Sequence, residues 1–206
     1  MSVKLKICGM KVPENIADVV ALEPDYMGFI FFPGSKRFVA DLNPDFIKHI
    51  PEAIKATGVF VDEQLEVLKE KIVAYGLKAV QLHGKESVAY CAALKESGVE
   101  VIKAFGIDES FDFDQLDDYY DVTDYFLFDT QTAEHGGSGK AFNWRLLEKY
   151  QLLKPFFLSG GIGLDNAQEL FRVNDERLYA VDVNSRFELE PGLKDIDKLG
   201  EFKIQL

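Results

Sequence analysis

Eight short, apolar, β-branched runs recur along the chain, and the distance between successive runs is what most limits its possible folds. They occupy residues 3–7, 26–32, 56–61, 79–82, 101–105, 125–128, 156–158 and 178–181. Their ends are Cys8, Phe31, Val61, His83, Ala104, Asp129, Ser159 and Asp182. Successive ends lie between 21 residues apart (His83 to Ala104) and 30 residues apart (Phe31 to Val61). A hairpin needs only a few connecting residues, whereas a connection this long with a helix inside it returns the chain for a parallel strand. Helix-like stretches fill the intervals. Residues 64–74 place Leu65, Leu68 and Ile72 at helical spacing, and 86–95, 144–150 and 166–171 follow the same logic. Asp62, Asn143 and Asp165 stand where the N-caps of the third, sixth and seventh helices belong. The acidic, aromatic stretch 111–121 predicts only a short or irregular helix. Eight such units predict the α/β class and a single closed (β/α)8 barrel of the TIM type, since open sheets usually stop at about five or six strands. The 206 residues are few for a barrel that typically takes ~250, so its loops must be tight. No linker or low-complexity stretch divides residues 1–206 into two domains.

Charge narrows the partners. A net charge of −12 repels phosphate backbones and anionic lipid, which disfavours nucleic acid and membranes. An anionic small molecule is still allowed if its site carries local donors. No apolar run reaches the ~18 residues that span a bilayer. The first ten residues, MSVKLKICGM, lack the apolar core of a signal peptide. Two cysteines, Cys8 and Cys91, make no disulfide framework. The expectation is a cytoplasmic protein with reduced thiols, a monomer or a homodimer.

Barrels of this kind build their sites at the carboxyl ends of the strands. The polar residues expected there are Cys8, Arg37, His83, Asp129, Ser159 and Asp182. After the seventh run the chain reads Leu158-Ser159-Gly160-Gly161-Ile162-Gly163, and a helix follows. Glycines let backbone N–H groups approach an anion, and loops seven and eight are where this fold commonly holds phosphate. Gly160 and Gly161, with Asn184 and Ser185 after the eighth run, are therefore assigned to a phosphate. Two nucleotide motifs fail. Gly139-Lys140 has Glu134 where the first Walker glycine belongs, and Gly161-x-Gly163 continues to Asn166. His49, His83 and His135 show no metal-ligand spacing, so neither metal nor cofactor is expected. His49 is assigned to a solvated helix face and Cys91 to the core.

Lys6-Ile7-Cys8-Gly9-Met10 resembles the first-strand signature of the phosphoribosylanthranilate isomerase family. The resemblance continues through residues 28–37, 58–61, 81–84, 128–130, 136–144, 158–162, 181–185 and 191–195, in order and over nearly the whole chain. It implies an Amadori rearrangement: the ribose ring of N-(5-phosphoribosyl)anthranilate opens to a Schiff base, C2 loses a proton, and the enolamine becomes a ketone. It further implies that Cys8 is the general base, Asp129 the general acid, and Arg37 the holder of the anthranilate carboxylate through a bidentate pair. His83 and Asp182 line the substrate site, and Gly137 joins the phosphate contacts. At ordinary pKa values of ~8.5 and ~3.9, neither the thiolate nor the carboxylic acid would be abundant at neutral pH. The site must stabilise the thiolate with nearby donors and raise Asp129, by desolvation or by Asp182. Two departures stand out. Lys36 replaces the usual proline before the arginine. Asn184-Ser185-Arg186-Phe187-Glu188 replaces Ser-Ser-Gly-Val-Glu, which puts Arg186 where a glycine flanks the phosphate, either strengthening anion binding or pointing away. The competing readings are another sugar-phosphate isomerase or epimerase, or a sugar-phosphate-binding barrel without turnover. A metal-dependent epimerase needs a metal-binding set of His and Asp at its strand ends, and the histidines here show no ligand spacing. A histidine-pathway isomerase would carry an aspartate where Cys8 stands.

Overall fold

In the computed structural model, residues 3–39, 42–131, 141–170 and 172–206 are described. Eight strands close into a parallel barrel in chain order, the eighth pairing with the first. They are β1 (Lys4–Ile7), β2 (Tyr26–Ile30), β3 (Lys55–Phe60), β4 (Ala79–Leu82), β5 (Glu100–Ile107), β6 (Tyr125–Thr130), β7 (Phe156–Leu158) and β8 (Leu178–Val183). All eight coincide with the runs read from the sequence. Three of them, β5, β6 and β8, continue two residues further, into Gly106-Ile107, Asp129-Thr130 and Asp182-Val183. The extensions of β6 and β8 carry Asp129, Thr130 and Asp182 to the barrel's rim.

Closure gives each strand two buried faces, so residues of both parities lose water. The outward face packs on helices α1 (Pro13–Val20), α2 (Asp45–Lys48), α3 (Leu65–Tyr75), α4 (Val88–Lys95), α5 (Ala167–Leu170) and α6 (Ile196–Gln205). Cys91 is fully buried there, on α4. The inward face fills the barrel with a separate cluster: Tyr26, Ala79, Ile102, Ala104, Leu127, Phe157 and Ala180. Alternation then fixes what stands above that plug. Two residues beyond Ala79 is Gln81, and then His83. Beyond Leu127 comes Asp129, beyond Phe157 comes Ser159, and beyond Ala180 comes Asp182. On β1 the same face carries Lys6 and then Cys8.

The outer layer is thinner than eight full helices. After β5 the chain makes a 3-10 helix, Phe113–Tyr119, which matches the irregular element expected there. After β6 it makes another, Trp144–Lys149, where the sequence suggested an α-helix. Asn143 does cap that turn, accepting the N–H of Arg145 at 3.2 Å. The turn stops where Tyr150 is pulled inward, edge-on to Phe128 and Phe156. Asp62 is not the cap of α3, which starts after Gln64. Its carboxylate instead accepts the Lys85 N–H across the rim, from a left-handed backbone at φ 50°. Asp165 pairs with Arg186. Beyond β8 come a 3-10 turn (Ser185–Phe187), a hairpin of β9 (Glu188–Glu190) and β10 (Leu193–Lys194), and then α6. Phe187 packs at a tilt against Phe202 of α6 with ring centroids 5.0 Å apart, which ties the turn to the outer layer.

Candidate active site

The carboxyl ends of the strands surround a cavity of about 600 Å³. Cys8, Arg37, His83, Asp129, Ser159, Gly160, Gly161, Asp182, Asn184 and Ser185 all line it. The sequence-derived site residues therefore converge on one mouth, apart from Gly137, which lies outside the described residues together with His135. His49 is exposed at the end of α2, away from the cavity. Among the described residues, no cluster of three or more His, Cys, Asp or Glu side chains is placed to hold a metal ion.

Cys8 continues the β1 pairing, donating its N–H to Val183 O at 2.9 Å. Gly28 on β2 leaves the room that its sulfur occupies, since a Cβ there would stand 2.7 Å from Sγ. Gly28→Ala is expected to cost about 1–3 kcal/mol by overpacking and to displace the thiol. Denaturant unfolding and turnover, measured together, check this; an alanine variant with wild-type values for both would refute it.

Burial pushes the Cys8 thiol above its usual pKa, while Lys6 and Lys194 pull it down and Asp182 adds to the rise. The donors that the sequence reading required are present, and desolvation outweighs them. Lys6 is the nearer one. It is fully buried and forms an ion pair with Asp182 at 2.9 Å and a hydrogen bond to Gln81 Oε1 at 2.8 Å, and it lies near enough to Cys8 for each to shift the other's pKa. Burial alone would lower its pKa, but Asp182 and Cys8 outweigh that and keep it an ammonium.

Across the cavity, Asp129 is 7% exposed. Desolvation pushes its carboxyl up to about 6, opposed by the Thr130 N–H and reinforced by Asp182. That N–H donates to Oδ1 at 2.7 Å. Gly160 permits the close approach of the next strand. Its φ of 89° is left-handed, and a Cβ would stand 2.7 Å from Asp129 Oδ1. His83 Nε2 lies 3.5 Å from Asp129 Oδ2. The turn after His83 is stiffened from below: Glu86 accepts the N–H groups of Asp62 and Gly84, and Lys103 pairs with it at 3.2 Å. Asp182 Oδ1 is buried with no hydrogen-bond partner among the described residues.

Arg37 is not the free fork that the sequence suggested. Its Nε and Nη2 are bound side-on by Glu188 of the hairpin, at 2.9 and 2.6 Å. Lys194 holds Glu188 from the other side at 2.7 Å and also reaches Asn184 Oδ1 at 2.8 Å. Burial would raise the Glu188 carboxyl, but Arg37 and Lys194 together hold it below the usual range. Among the described residues, Nη1 is the guanidinium nitrogen without a hydrogen-bond partner. The sequence motifs gave no warning of this, because Glu188 reaches Arg37, and Lys194 reaches Glu188, only once the hairpin folds back.

In the loop after β7, Gly160 and Gly161 both have left-handed backbones. Asn166 staples their loop, accepting the Gly163 N–H and donating to Gly161 O, each at 2.8 Å. The N–H groups of Gly160 and Gly161 have no acceptor among the described residues. Arg186 neither enters the cradle head-on nor leaves it. It bridges Gly161 O and Asp165 Oδ2, at 3.0 and 2.6 Å, along the rim of the cavity. Lys6, Lys36, Arg37, Arg186 and Lys194 thus gather positive charge at or under one cavity of a chain whose net charge is −12.

Residues 5–204 match the family model described as N-(5'phosphoribosyl)anthranilate (PRA) isomerase. The chain belongs to the N-(5'-phosphoribosyl)anthranilate isomerase family. A relative of that name from Parabacteroides distasonis is 44% identical, over 98% of this chain and 92% of its own. The crystal structure of the phosphoribosyl anthranilate isomerase of Thermus thermophilus superposes with a TM-score of 0.86 at 28% identity, covering 98% of each chain. A phosphoribosyl anthranilate isomerase solved with reduced 1-(o-carboxyphenylamino)-1-deoxyribulose 5-phosphate superposes with a TM-score of 0.81 at 32% identity, covering 98% of this chain and 96% of that one. Several groups here stand inside the quoted motifs but received no role from them: Lys6, Gln81, Glu188 and Lys194. Lys6 and Gln81 did carry a signal, a charged and an amide side chain on the inward parity of apolar strands.

Proposed function

We propose that the chain isomerises N-(5'-phosphoribosyl)anthranilate to 1-(o-carboxyphenylamino)-1-deoxyribulose 5-phosphate, a step of tryptophan biosynthesis, with Asp129 as acid and Cys8 as base. Asp129 gives its proton to the ring oxygen as the C1–O bond breaks and the Schiff base forms. Cys8, as thiolate, takes the proton from C2, and the C2–H electron pair moves to make the enolamine. Ketonisation gives the product, so substrate and product are isomers and no electrons leave the site. The observation that carries this reading is the shared cavity: the thiol and a carboxyl with its pKa pushed up to about 6 line one space, beside two left-handed glycines. Nη1 of Arg37 is assigned to the anthranilate carboxylate. The unpartnered Asp182 Oδ1 is assigned to a sugar hydroxyl, because a buried acceptor gains most from a new donor. Gly160, Gly161, Asn184 and Ser185 are assigned to the phosphate. His83 is read as lining the site beside Asp129. A single domain and a cytoplasmic location are part of the same proposal; two free thiols support the latter.

The test is turnover of purified protein on freshly made substrate, followed by loss of anthranilate-type fluorescence in the presence of chelator. Rescue of a tryptophan auxotroph is its counterpart in cells. Binding without turnover would favour a sugar-phosphate-binding barrel.

The acid here has the lower pKa and the base the higher one. Between the two values, the acidic fraction of Asp129 falls about tenfold per pH unit while the thiolate fraction of Cys8 rises about tenfold. The product of the two stays constant. kcat/KM is therefore expected to be flat from about 6 up to the raised pKa of the thiol, to fall below about 6, where thiol and carboxyl are both protonated, and to fall again above the thiol's pKa, where the carboxyl keeps losing its proton and no more thiolate forms. A pH–rate profile checks this, and a maximum below 6 contradicts it.

A further inference from the structure

The hydrogen bonds beneath Asp129 run in one direction. Lys6 is fully buried, and an ammonium offers donors and no acceptor. Its Nζ lies 2.8 Å from Gln81 Oε1. That contact turns the Gln81 amide so that its oxygen faces Lys6 and its NH2 faces the other way. The NH2 nitrogen lies 2.8 Å from His83 Nδ1. An amide nitrogen does not accept, so Nδ1 must. A ring that accepts at Nδ1 carries its proton on Nε2, and Nε2 is the atom facing Asp129 Oδ2 at 3.5 Å.

We propose that Gln81 is a positioning residue for the isomerisation: oriented by Lys6, it holds His83 as the neutral Nε2–H tautomer, whose proton faces the carboxylate that Asp129 becomes on donating. The proposal rests on the acid role given to Asp129. A donor preset at that carboxylate stabilises charge that develops only as the proton leaves. An imidazolium in the same place would favour the carboxylate beforehand and lower the pKa of the acid. The Gln81 amide prevents this by occupying Nδ1 with a donor. The ammonium that orients Gln81 also pairs with Asp182 and draws down the pKa of the Cys8 thiol, so one cation acts on both sides of the proton transfer.

The test is the tautomer of His83 in the full chain, read near neutral pH from long-range proton–nitrogen NMR correlations of protein labelled with 15N at histidine. Loss of signals in His83→Asn separates them from those of His49 and His135. The neutral Nε2–H pattern is expected. In Gln81→Glu, a carboxylate oxygen faces Nδ1, and a proton is expected to appear there. kcat should then fall on the order of tenfold or more, within the ~10²–10⁴-fold reach of acid–base catalysis, with KM moving less. An Nδ1–H tautomer or an imidazolium in the wild-type protein overturns the proposal without any variant having to fold. A Gln81→Glu protein with the wild-type tautomer and wild-type kcat overturns it equally. Absence of turnover in the wild-type protein would instead count against the proposed function, because the spectrum reports the ring independently of substrate.

Discussion

Asp129→Asn is expected to lower kcat by roughly 10³-fold, in the middle of the ~10²–10⁴-fold range for a positioned acid, while the protein stays folded. The amide oxygen can still accept the Thr130 N–H, and side-chain volume hardly changes, so the backbone of β6 has no reason to move. What disappears is a proton that leaves at about 6. An amide cannot donate one to the ring oxygen and become a stable anion. Cys8→Ser is expected to have a loss of similar order. A hydroxyl fits the space that Gly28 leaves, but its proton is held far more tightly than that of a thiol. Near-wild-type turnover in either variant would remove that residue from its role. Unfolding midpoints measured beside the kinetics keep a folding defect from being taken for a chemical one.

Lys6→Met should have the largest effect on stability. The lysine and Asp182 are both buried, and removing the cation strands a carboxylate with no other ion-pair partner among the described residues. Breaking such a pair from one side costs about 3–5 kcal/mol, whereas neutralising both sides is often nearly neutral. The double variant Lys6→Met/Asp182→Asn is therefore expected to regain most of the lost stability. It should not regain activity, because the thiol has lost its nearest cation and Gln81 the group that orients it. Denaturant midpoints and turnover of the single and double variants test this. A stable double variant with wild-type kcat would show that Lys6 serves the fold alone.

Why these groups escaped the sequence, while Cys8 and Asp129 did not, has a geometric answer. A thiol and a carboxylate that terminate apolar runs are conspicuous, because the run ends and the chemistry begins at the same residue. Lys6 and Gln81 lie within runs. In an open sheet, the alternation Val3-Lys4-Leu5-Lys6-Ile7 reads as a strand with one face in water. Only closure of the barrel turns that polar face inward, where Lys6 loses all contact with solvent. The strands themselves were legible because burial on both faces makes them near-continuous apolar runs. Their rims were less so. β6 and β8 run on through Asp129 and Asp182, which a hydrophobicity pattern takes for the start of a loop. The hairpin Glu188–Lys194 left no periodic trace, since its strands are three and two residues long. Its contribution, the clamp on Arg37, depends on a contact between residues 151 positions apart. Asp62 shows the opposite failure. It has the right residue type for a cap, but its carboxylate is engaged by the loop after β4.

The most direct measurement is a crystal structure of this chain with reduced 1-(o-carboxyphenylamino)-1-deoxyribulose 5-phosphate. The phosphate is expected against the amides of Gly160 and Gly161 and the aryl carboxylate against Nη1 of Arg37. Cys8 Sγ and the Asp129 carboxyl should both lie within reach of the sugar's first two carbons and their oxygens. A ligand bound elsewhere, or one bound here that touches only one of the two side chains, would contradict the pairing of thiol and carboxyl on a single substrate.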